Sequence, residues 1–143
     1  MFKGCIVLFM ITKFAGSFIF NNGKILLVQE AHEEARGLWS LPLGKVEDVE
    51  SEKEAAEREI QEETGIVVSL DKHELFQIPG NDFKSLSEFN FGVVELHIFG
   101  GQAIGGHLEK GSDVLDVRWF SAEEIKNLPL RGKWMLDIID KFI

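Results

Sequence analysis

Residues 44–66 read GKVEDVESEKEAAEREIQEETGI, and they are the most informative part of the chain. Within them, Ser51 is followed three residues later by Glu54, a capping-box pattern that begins a helix. Gly65 stands where helices commonly end with a residue in the left-handed backbone conformation. The pattern therefore predicts a single helix that begins after Ser51 and runs to Thr64.

One face of this helix is acidic. Glu59, Glu62 and Glu63 are spaced i, i+3 and i+4, which places their side chains within about 100° of arc. Like charges at this spacing repel one another, unless a divalent cation such as Mg²⁺ or Mn²⁺ lies among them. A solvated acidic helix is the alternative, because the same segment holds other glutamates. Spacing alone leaves both interpretations open.

The longer pattern is more specific. Gly44 is followed after five residues by Glu50, and Glu50 is followed after seven by Arg58-Glu59-Ile60-Gln61-Glu62-Glu63-Thr64-Gly65-Ile66. This string resembles the Nudix box, the signature of the MutT-like Nudix hydrolases. The lead-in GLWSLP at residues 37–42 and the later DVRWF at residues 116–120 resemble the same family, so the resemblance covers residues 12–140.

The resemblance implies an α+β fold, specifically the Nudix-type α/β/α sandwich with a mixed β-sheet. It implies a divalent-metal-dependent hydrolase in which water attacks a phosphorus of a diphosphate, with Mg²⁺ or Mn²⁺ as cofactor and two or more ions bound. It assigns Glu50 to helping hold the loop and the residues around the metal, and Arg58 to orienting a glutamate. The implied metal ligands are Gly44, Glu59, Glu62 and Glu63, and the implied catalytic residues in the box are Glu62, Glu59 and Arg58.

The substrate class is broad. The resemblance implies a small nucleotide-type molecule, such as an oxidised (d)NTP or (d)NDP, ADP-ribose or a nucleotide sugar. The chain contains no tyrosine, which counts against the diadenosine-polyphosphate subclass. The alternative is a non-catalytic nucleotide-binding or regulatory protein of the same fold. Such relatives usually lack one of the box glutamates, whereas this chain has all of the box glutamates.

Two positions depart from the usual box. Leu43 stands where a glycine is usual before Gly44, and Val49 stands where a glycine is usual before Glu50. Glycine allows backbone angles that leucine and valine resist, so both changes put the geometry of the loop in question. Neither departure touches an implied metal ligand.

An acid outside the box is also expected, because one helix face cannot surround a metal cluster. The segment 100–113 is glycine-rich and could close over substrate, and its acidic residues are Glu109 and Asp113. We favour Glu109 as the downstream catalytic acid, since it lies nearer the middle of that segment. Solvated loop charges are the alternative for both residues.

The composition of the chain limits the kinds of partner that the protein is expected to bind. With 24 acidic and 15 basic side chains, the formal charge is −9, which argues against binding nucleic acid. Cys5 is the only cysteine, which suits a reducing compartment, and we expect a cytoplasmic protein. The apolar run at residues 4–11 is too short to span a bilayer, so no membrane partner is expected. It faintly resembles a signal peptide, but an apolar strand is the preferred interpretation.

The whole chain, residues 1–143, is expected to form a single domain, with residues 1–11 as an apolar N-terminal extension. The resemblance favours a homodimer. Strands are predicted at residues 14–20, 24–29, 66–70, 74–78 and 114–120, and Asn21-Asn22-Gly23 predicts a tight turn between the first two. Another strand at residues 89–99 should end at Gly100-Gly101, with a mobile stretch up to Gly111. A short helix should follow Ser121, and a closing helix should span residues 133–142. The buried positions predicted in the closing helix are Trp134, Leu136, Ile138, Ile139 and Phe142.

The remaining candidates are aromatic and histidine side chains. Aromatic residues could stack on a base, although most aromatics at strand spacing belong to a core. The four histidines show no metal-ligand spacing and are expected to be structural or solvated. The aromatic candidates are Phe14, Phe18, Trp39, Phe76, Phe89 and Phe91, and the histidines are His32, His73, His97 and His107.

Overall fold

The structure is a computed structural model that describes residues 12–79 and 94–143. The prediction for residues 1–11 and the first five residues, 89–93, of the strand predicted at 89–99 lie outside the described residues. The strands are β1 Thr12–Asn21, β2 Lys24–Glu30, β3 Trp39–Ser40, β4 Leu43–Lys45, β5 Ile66–Leu70, β6 Phe76–Pro79, β7 Val94–Gly106 and β8 Val114–Ser121; the helices are α1 Glu52–Thr64, α2 Ala122–Ile125 and α3 Trp134–Phe142.

The strands form one mixed sheet, as the resemblance implied. Its central path runs β3-β2-β1-β7-β5, with β4 paired to β1, β6 to β7 and β8 to β2. β1 and β7 run parallel, from the pair Thr12 and Val94 to the pair Ile19 and Gly101. The other pairings are antiparallel. Strand β7 therefore lies between β1 and β5.

Helices cover both faces of this sheet, which confirms the sandwich. On one face, α1 buries Ala55, Ala56 and Ile60 in a cluster with side chains of β1, β5 and β7. On the other face, α3 buries Trp134, Met135, Ile138 and Ile139 against the opposite sides of the strands. Burial of these apolar faces is the main force that fixes α1 on the sheet.

The predicted tight turn between β1 and β2 is confirmed. Asn22 and Gly23 both have positive φ angles, of 52° and 76°. Two consecutive residues in this region are typical of the hairpin turn that Asn-Gly favours. This turn sets the register in which Phe20 pairs with Ile25.

The predicted bounds of α1 are also confirmed. The Ser51 side chain accepts a hydrogen bond from the Glu54 N–H at 3.1 Å, and the Glu54 carboxylate accepts one from the Ser51 N–H at 2.8 Å. At the other end, Gly65 has a φ of 77° and donates its N–H to Gln61 O. The capping box and the left-handed glycine together fix both ends of the helix.

Strand β7 contradicts the prediction that Gly100-Gly101 ends it. It continues to Gly106 and pairs with β5 over its second half. A Cβ atom on Gly101 would lie 2.2 Å from Ser69 O, so the glycine allows β5 to approach closely. The glycines are therefore packing residues, and the stretch predicted to be mobile begins inside the sheet.

The closing helix is close to its predicted position. Trp134, Ile138 and Ile139 are buried as predicted, but Phe142 is 40% exposed and Leu136 is only partly buried. Met135 takes the buried place instead. Across residues 12–79 and 94–143, no helix is long and apolar enough to cross a membrane.

Candidate functional site

The acidic face of α1 points toward the loop and strand that precede it. The side chain of Glu59 is 16% exposed, whereas that of Glu62 is 58% exposed. Glu63 is partly buried and accepts a hydrogen bond from the Leu43 N–H at 3.1 Å. The three carboxylates therefore run from a sheltered position against β4 to an open position in solvent.

Arg58 is the centre of the hydrogen-bond network. Its guanidinium binds Glu50 through two bonds of 3.0 Å and 2.6 Å, in the bidentate geometry that favours arginine. Its Nη1 also donates to Glu59 at 2.8 Å and lies 3.3 Å from a Glu62 oxygen. Nη2 donates to Lys45 O at 3.2 Å. Arg58 thereby links the loop before α1 to Glu59 and Glu62 through hydrogen bonds.

Hydrogen bonds explain the electrostatics of this network. The hydrogen bond that Glu50 accepts from Arg58 is the main reason that the pKa of Glu50 lies below its usual value. The same bond, made to Glu50, raises the pKa of the Arg58 guanidinium above its ordinary value. Both groups are therefore charged at neutral pH, and Glu50 serves as the anchor of Arg58.

Gly44 is where the backbone comes closest to the acidic face. A Cβ atom at this position would lie 2.1 Å from the carboxyl carbon of Glu59. No side chain could occupy that space without moving Glu59. Glycine at position 44 therefore gives the Glu59 carboxylate its place beside β4.

Burial raises the pKa of two of the three glutamates. Loss of hydration is the main reason that the pKa of Glu63 lies well above its ordinary value, and the charges of Glu30 and Glu59 add to this. Loss of hydration likewise raises the pKa of Glu59, although Arg58 opposes it. Both carboxylates are short of positive charge, which a bound cation would supply.

Glu30 and Arg131 form a buried ion pair that sequence reasoning missed. Their side chains are 4% and 6% exposed, and Arg131 Nη1 lies 3.3 Å from Glu30 Oε1. The Arg131 N–H also donates to Trp39 O, and the Glu30 N–H donates to Leu38 O. No motif joins two residues so far apart in the chain, so only the fold brings this pair beside Glu63.

The residues present fit a divalent cation. Carboxylate and carbonyl oxygens are the ligands that Mg²⁺ and Mn²⁺ prefer, and Glu59, Glu62, Glu63 and Gly44 offer them on one side of the sheet. In the described residues, no three acidic, histidine or cysteine side chains already converge on one point. Arg58 holds Glu59 and Glu62, so these two side chains must turn to coordinate an ion together.

We expect a Glu63→Gln variant to be more stable than the parent at neutral pH when metal is absent. In the folded protein the pKa of Glu63 lies well above its ordinary value of 4.5. As the pH rises, Glu63 therefore loses its proton in the unfolded chain before it does so in the folded protein. The free energy of unfolding is highest below the ordinary pKa and falls as the pH rises through the raised pKa. Glutamine keeps an acceptor for the Leu43 N–H and cannot ionise.

Urea unfolding in EDTA between about pH 4.5 and pH 8 measures this effect. Glu57→Gln is the matched control, because Glu57 lies on the same helix and is not among the glutamates bonded to Arg58. Equal losses of stability with rising pH in Glu63→Gln and in the parent would contradict the assignment.

The two acids expected downstream of the box are both exposed. Glu109 donates its backbone N–H to Thr64 O at 2.8 Å, which places residue 109 beside the end of α1. Asp113 immediately precedes β8. Neither carboxylate makes a hydrogen bond or ion pair with another described residue.

The two departures from the usual box leave the backbone in ordinary conformations. Asn22 is the only non-glycine residue with a positive φ angle in the described part of the chain, so Leu43 and Val49 are not strained in this way. Leu43 is buried in the core on the α3 side, and Val49 is 98% exposed. The loop accommodates one as a core residue and the other in solvent.

The aromatic candidates that lie within the described residues belong mainly to the core. Phe18 and Trp39 are buried, and Phe14 and Phe76 pack against the same cluster. Phe89 and Phe91 lie outside the described residues. Among the histidines, His97 is buried, with its Nδ1 contacting Glu74 and its Nε2 lying 3.2 Å from Glu95. It is structural, as expected.

Comparisons with known proteins agree with the geometry. A sequence model of the NUDIX domain matches residues 11–142. The chain is 34% identical to the 8-oxo-dGDP phosphatase NUDT18 of Danio rerio over 87% of this chain and 36% of that protein. It is 32% identical to the ADP-ribose pyrophosphatase of Methanocaldococcus jannaschii over 76% of this chain and 59% of that protein.

Among solved structures, a NUDIX hydrolase from Nitrosomonas europaea superposes with a TM-score of 0.78 at 21% identity, covering 93% of this chain and 88% of that one. At this identity, the likeness bears on the fold alone. Three of the curated relatives are much longer proteins, of which the chain spans between 31% and 42%. The match to the domain model extends over nearly the whole chain, and the chain belongs to the NUDIX domain family.

Proposed function

We propose that this protein is a divalent-metal-dependent hydrolase that cleaves the diphosphate bond of a nucleoside diphosphate linked to another group. The observation that carries the proposal is the arrangement of Glu59, Glu62 and Glu63 on one helix face beside Gly44, with Arg58 fastened to Glu50. Hydrolases of this family generally use divalent metal ions. We assign the ions to Glu59, Glu62, Glu63 and the Gly44 carbonyl, with Mg²⁺ or Mn²⁺ and two or more ions as the proposed set.

In this proposal, each residue has a separate task. Bound cations would neutralise the diphosphate and lower the pKa of a bound water. Glu62 is the most exposed of the three glutamates and accepts the proton of the attacking water. The water oxygen forms a bond to phosphorus as the bridging P–O bond breaks. Arg58 holds Glu59 and the loop in place while this occurs.

The substrate class is proposed from the names of the relatives together with the site. One relative is named for 8-oxo-dGDP and another for ADP-ribose. Both molecules contain a nucleoside diphosphate, which is the part that carboxylate-bound cations would recognise. We therefore propose oxidised (d)NTP or (d)NDP, ADP-ribose and nucleotide sugars as the substrates to be tested.

A substrate panel with Mg²⁺ or Mn²⁺ tests this function. 8-oxo-dGTP, 8-oxo-dGDP, ADP-ribose and a nucleotide sugar are incubated with the protein, and the products are separated by chromatography. We expect turnover of at least one of them, abolished by EDTA. If Mn²⁺ binds but none of the four is cleaved, the non-catalytic nucleotide-binding protein becomes the better interpretation.

We also propose Glu109 as the acid that approaches the substrate from outside the box. Its backbone is fastened beside the last turn of α1, whereas Asp113 lies at the start of β8. Glu109→Gln should lower kcat by a hundredfold or so at saturating Mg²⁺, whereas Asp113→Asn should leave it nearly unchanged. The reverse result would transfer the role to Asp113. Full activity in both variants would confine catalysis to the box.

The setting of the protein is proposed from the sequence. Cys5 as the only cysteine is compatible with a reducing compartment, and we propose a cytoplasmic location. The resemblance is also compatible with a homodimer, for which light scattering is the direct measurement.

A further inference from the structure

The segment 106–111, which we call the strap, lies against the last turn of α1. The Glu109 N–H donates to Thr64 O at 2.8 Å, and the Gly111 N–H donates to Glu63 O at 3.0 Å. Both acceptors belong to the turn that carries Glu62 and Glu63. The strap is therefore bonded through its backbone to the residues on which the proposed site depends.

These bonds replace partners that a helix end lacks. The last four carbonyls of an α-helix have no partner within the helix. Gly65 donates to Gln61 O, and the strap supplies donors for Glu63 and Thr64. The Thr64 hydroxyl in turn donates to Ile60 O and accepts from the Ile66 N–H. Every one of these bonds opposes unwinding of the turn that bears the carboxylates.

The strap approaches the helix more closely than any side chain would permit. A Cβ atom on Gly111 would lie 2.3 Å from Glu62 O, and one on Gly106 would lie 2.1 Å from Gly65 O. Both of these neighbours are backbone atoms, which cannot swing aside as a side-chain end can. Contact with α1 thus requires the glycine at position 111, and contact with Gly65, which ends α1, requires the one at position 106, where φ is 83°.

We propose that the strap is a fixed positioning element for Glu62 and Glu63, and that Gly111 is the residue through which it sets their place. This inference rests on the proposed metal site. It differs from a lid that closes over substrate, because backbone hydrogen bonds hold the strap to the helix. The backbone of the strap acts through Glu62 and Glu63, and this role is separate from the one proposed above for the Glu109 side chain.

Gly111→Ala tests the proposal. The added methyl group must push the strap away from Glu62 O, and the helix end must shift with it. We expect Mn²⁺ to bind at least about tenfold more weakly, and kcat to fall by on the order of a hundredfold with a smaller change in KM. Isothermal calorimetry with Mn²⁺ measures the first effect, and steady-state kinetics on the best substrate measures the second.

Two controls separate positioning from general damage. Gly105→Ala is the same chemical change in the preceding strand, where the nearest atom to a Cβ is 4.0 Å away, and it should keep Mn²⁺ affinity and kcat. Ile139→Val lowers stability from a buried position in α3, on the opposite face of the sheet. If Ile139→Val, at a comparable loss of Tm, loses as much Mn²⁺ affinity and kcat as Gly111→Ala, the strap is only structural.

Hydrogen exchange on the unaltered protein is an independent measurement. The amides of Glu109 and Gly111 should exchange far more slowly than those of an open loop, because both are bonded to α1. Exchange at unprotected rates would overturn the strap, even if Gly111→Ala proved too unstable to study. If the parent does not bind Mn²⁺, both the proposed function and the positioning role of the strap are wrong. If the parent and Gly111→Ala bind Mn²⁺ equally well, only the positioning role of the strap is wrong.

Discussion

Glu62→Gln is expected to turn over the best substrate roughly 10²–10⁴-fold more slowly than the parent, the range typical of a lost general base. Glutamine keeps the shape of the side chain but cannot accept a proton. Glu62 is the glutamate most open to solvent, so the substitution leaves the packing of α1 intact. The measurement is kcat at saturating Mg²⁺, with circular dichroism to verify that the helix is retained.

Glu57→Gln is the matched control for this variant. It lies on the same helix and removes the same charge, but Glu57 takes no part in the network around Arg58. Its kcat should match that of the parent. If Glu62→Gln also matches the parent, Glu62 has no part in the reaction, and the proton must be accepted elsewhere.

Gly44→Ala is expected to fold but to lose most of its activity. The new Cβ atom would lie 2.1 Å from the Glu59 carboxyl carbon, which is the far end of a flexible side chain. Glu59 can therefore turn away without a large movement of the backbone, so Tm should change little. A displaced ligand should weaken Mn²⁺ binding and lower kcat by on the order of a hundredfold.

Gly105→Ala provides the comparison for this prediction as well. It adds the same methyl group where the nearest atom is 4.0 Å away. Calorimetry with Mn²⁺ and kinetics on the two variants should diverge, while their thermal unfolding curves stay close. Normal Mn²⁺ affinity in Gly44→Ala would show that metal binding by Glu59 does not depend on this close approach, and that the site tolerates a side chain at position 44.

Elements fixed by neighbouring residues were predictable from the sequence. The bounds of α1 follow from Ser51, Glu54 and Gly65, which act through bonds within one turn of the helix. The hairpin after β1 follows from Asn22 and Gly23, whose backbone angles suit the turn directly. In each case the residues that decide the structure are also the residues that adopt it.

Elements decided by distant contacts were not predictable. Gly100 and Gly101 have the composition of a strand end, yet β7 continues because β5 approaches Gly101 closely. The partner in that contact, Ser69, is far away in the sequence. Glycine signals both a turn and a close approach, and only the tertiary structure separates the two.

The same limit applies to the candidate site. The pattern around Arg58 indicated an arginine that braces a glutamate, and the structure gives that bond to Glu59 and a bidentate pair to Glu50. The pair of Glu30 and Arg131 had no sequence signal, because its members lie on β2 and just before α3. Buried charges outside a motif become visible only when the fold brings them together.

The parallel pairing of β1 with β7 has a consequence for the order in which the chain folds. Helix α1 packs on β1 and β5, and β7 is the strand that joins these two. During synthesis the helix and both of its flanking strands emerge before β7 does. The contact between Thr12 and Val94 closes a long loop, which is slow compared with the formation of local turns. The sheet under the acidic helix is therefore incomplete until β7 has been synthesised, and we expect the packing of α1 on that sheet to be completed only afterwards.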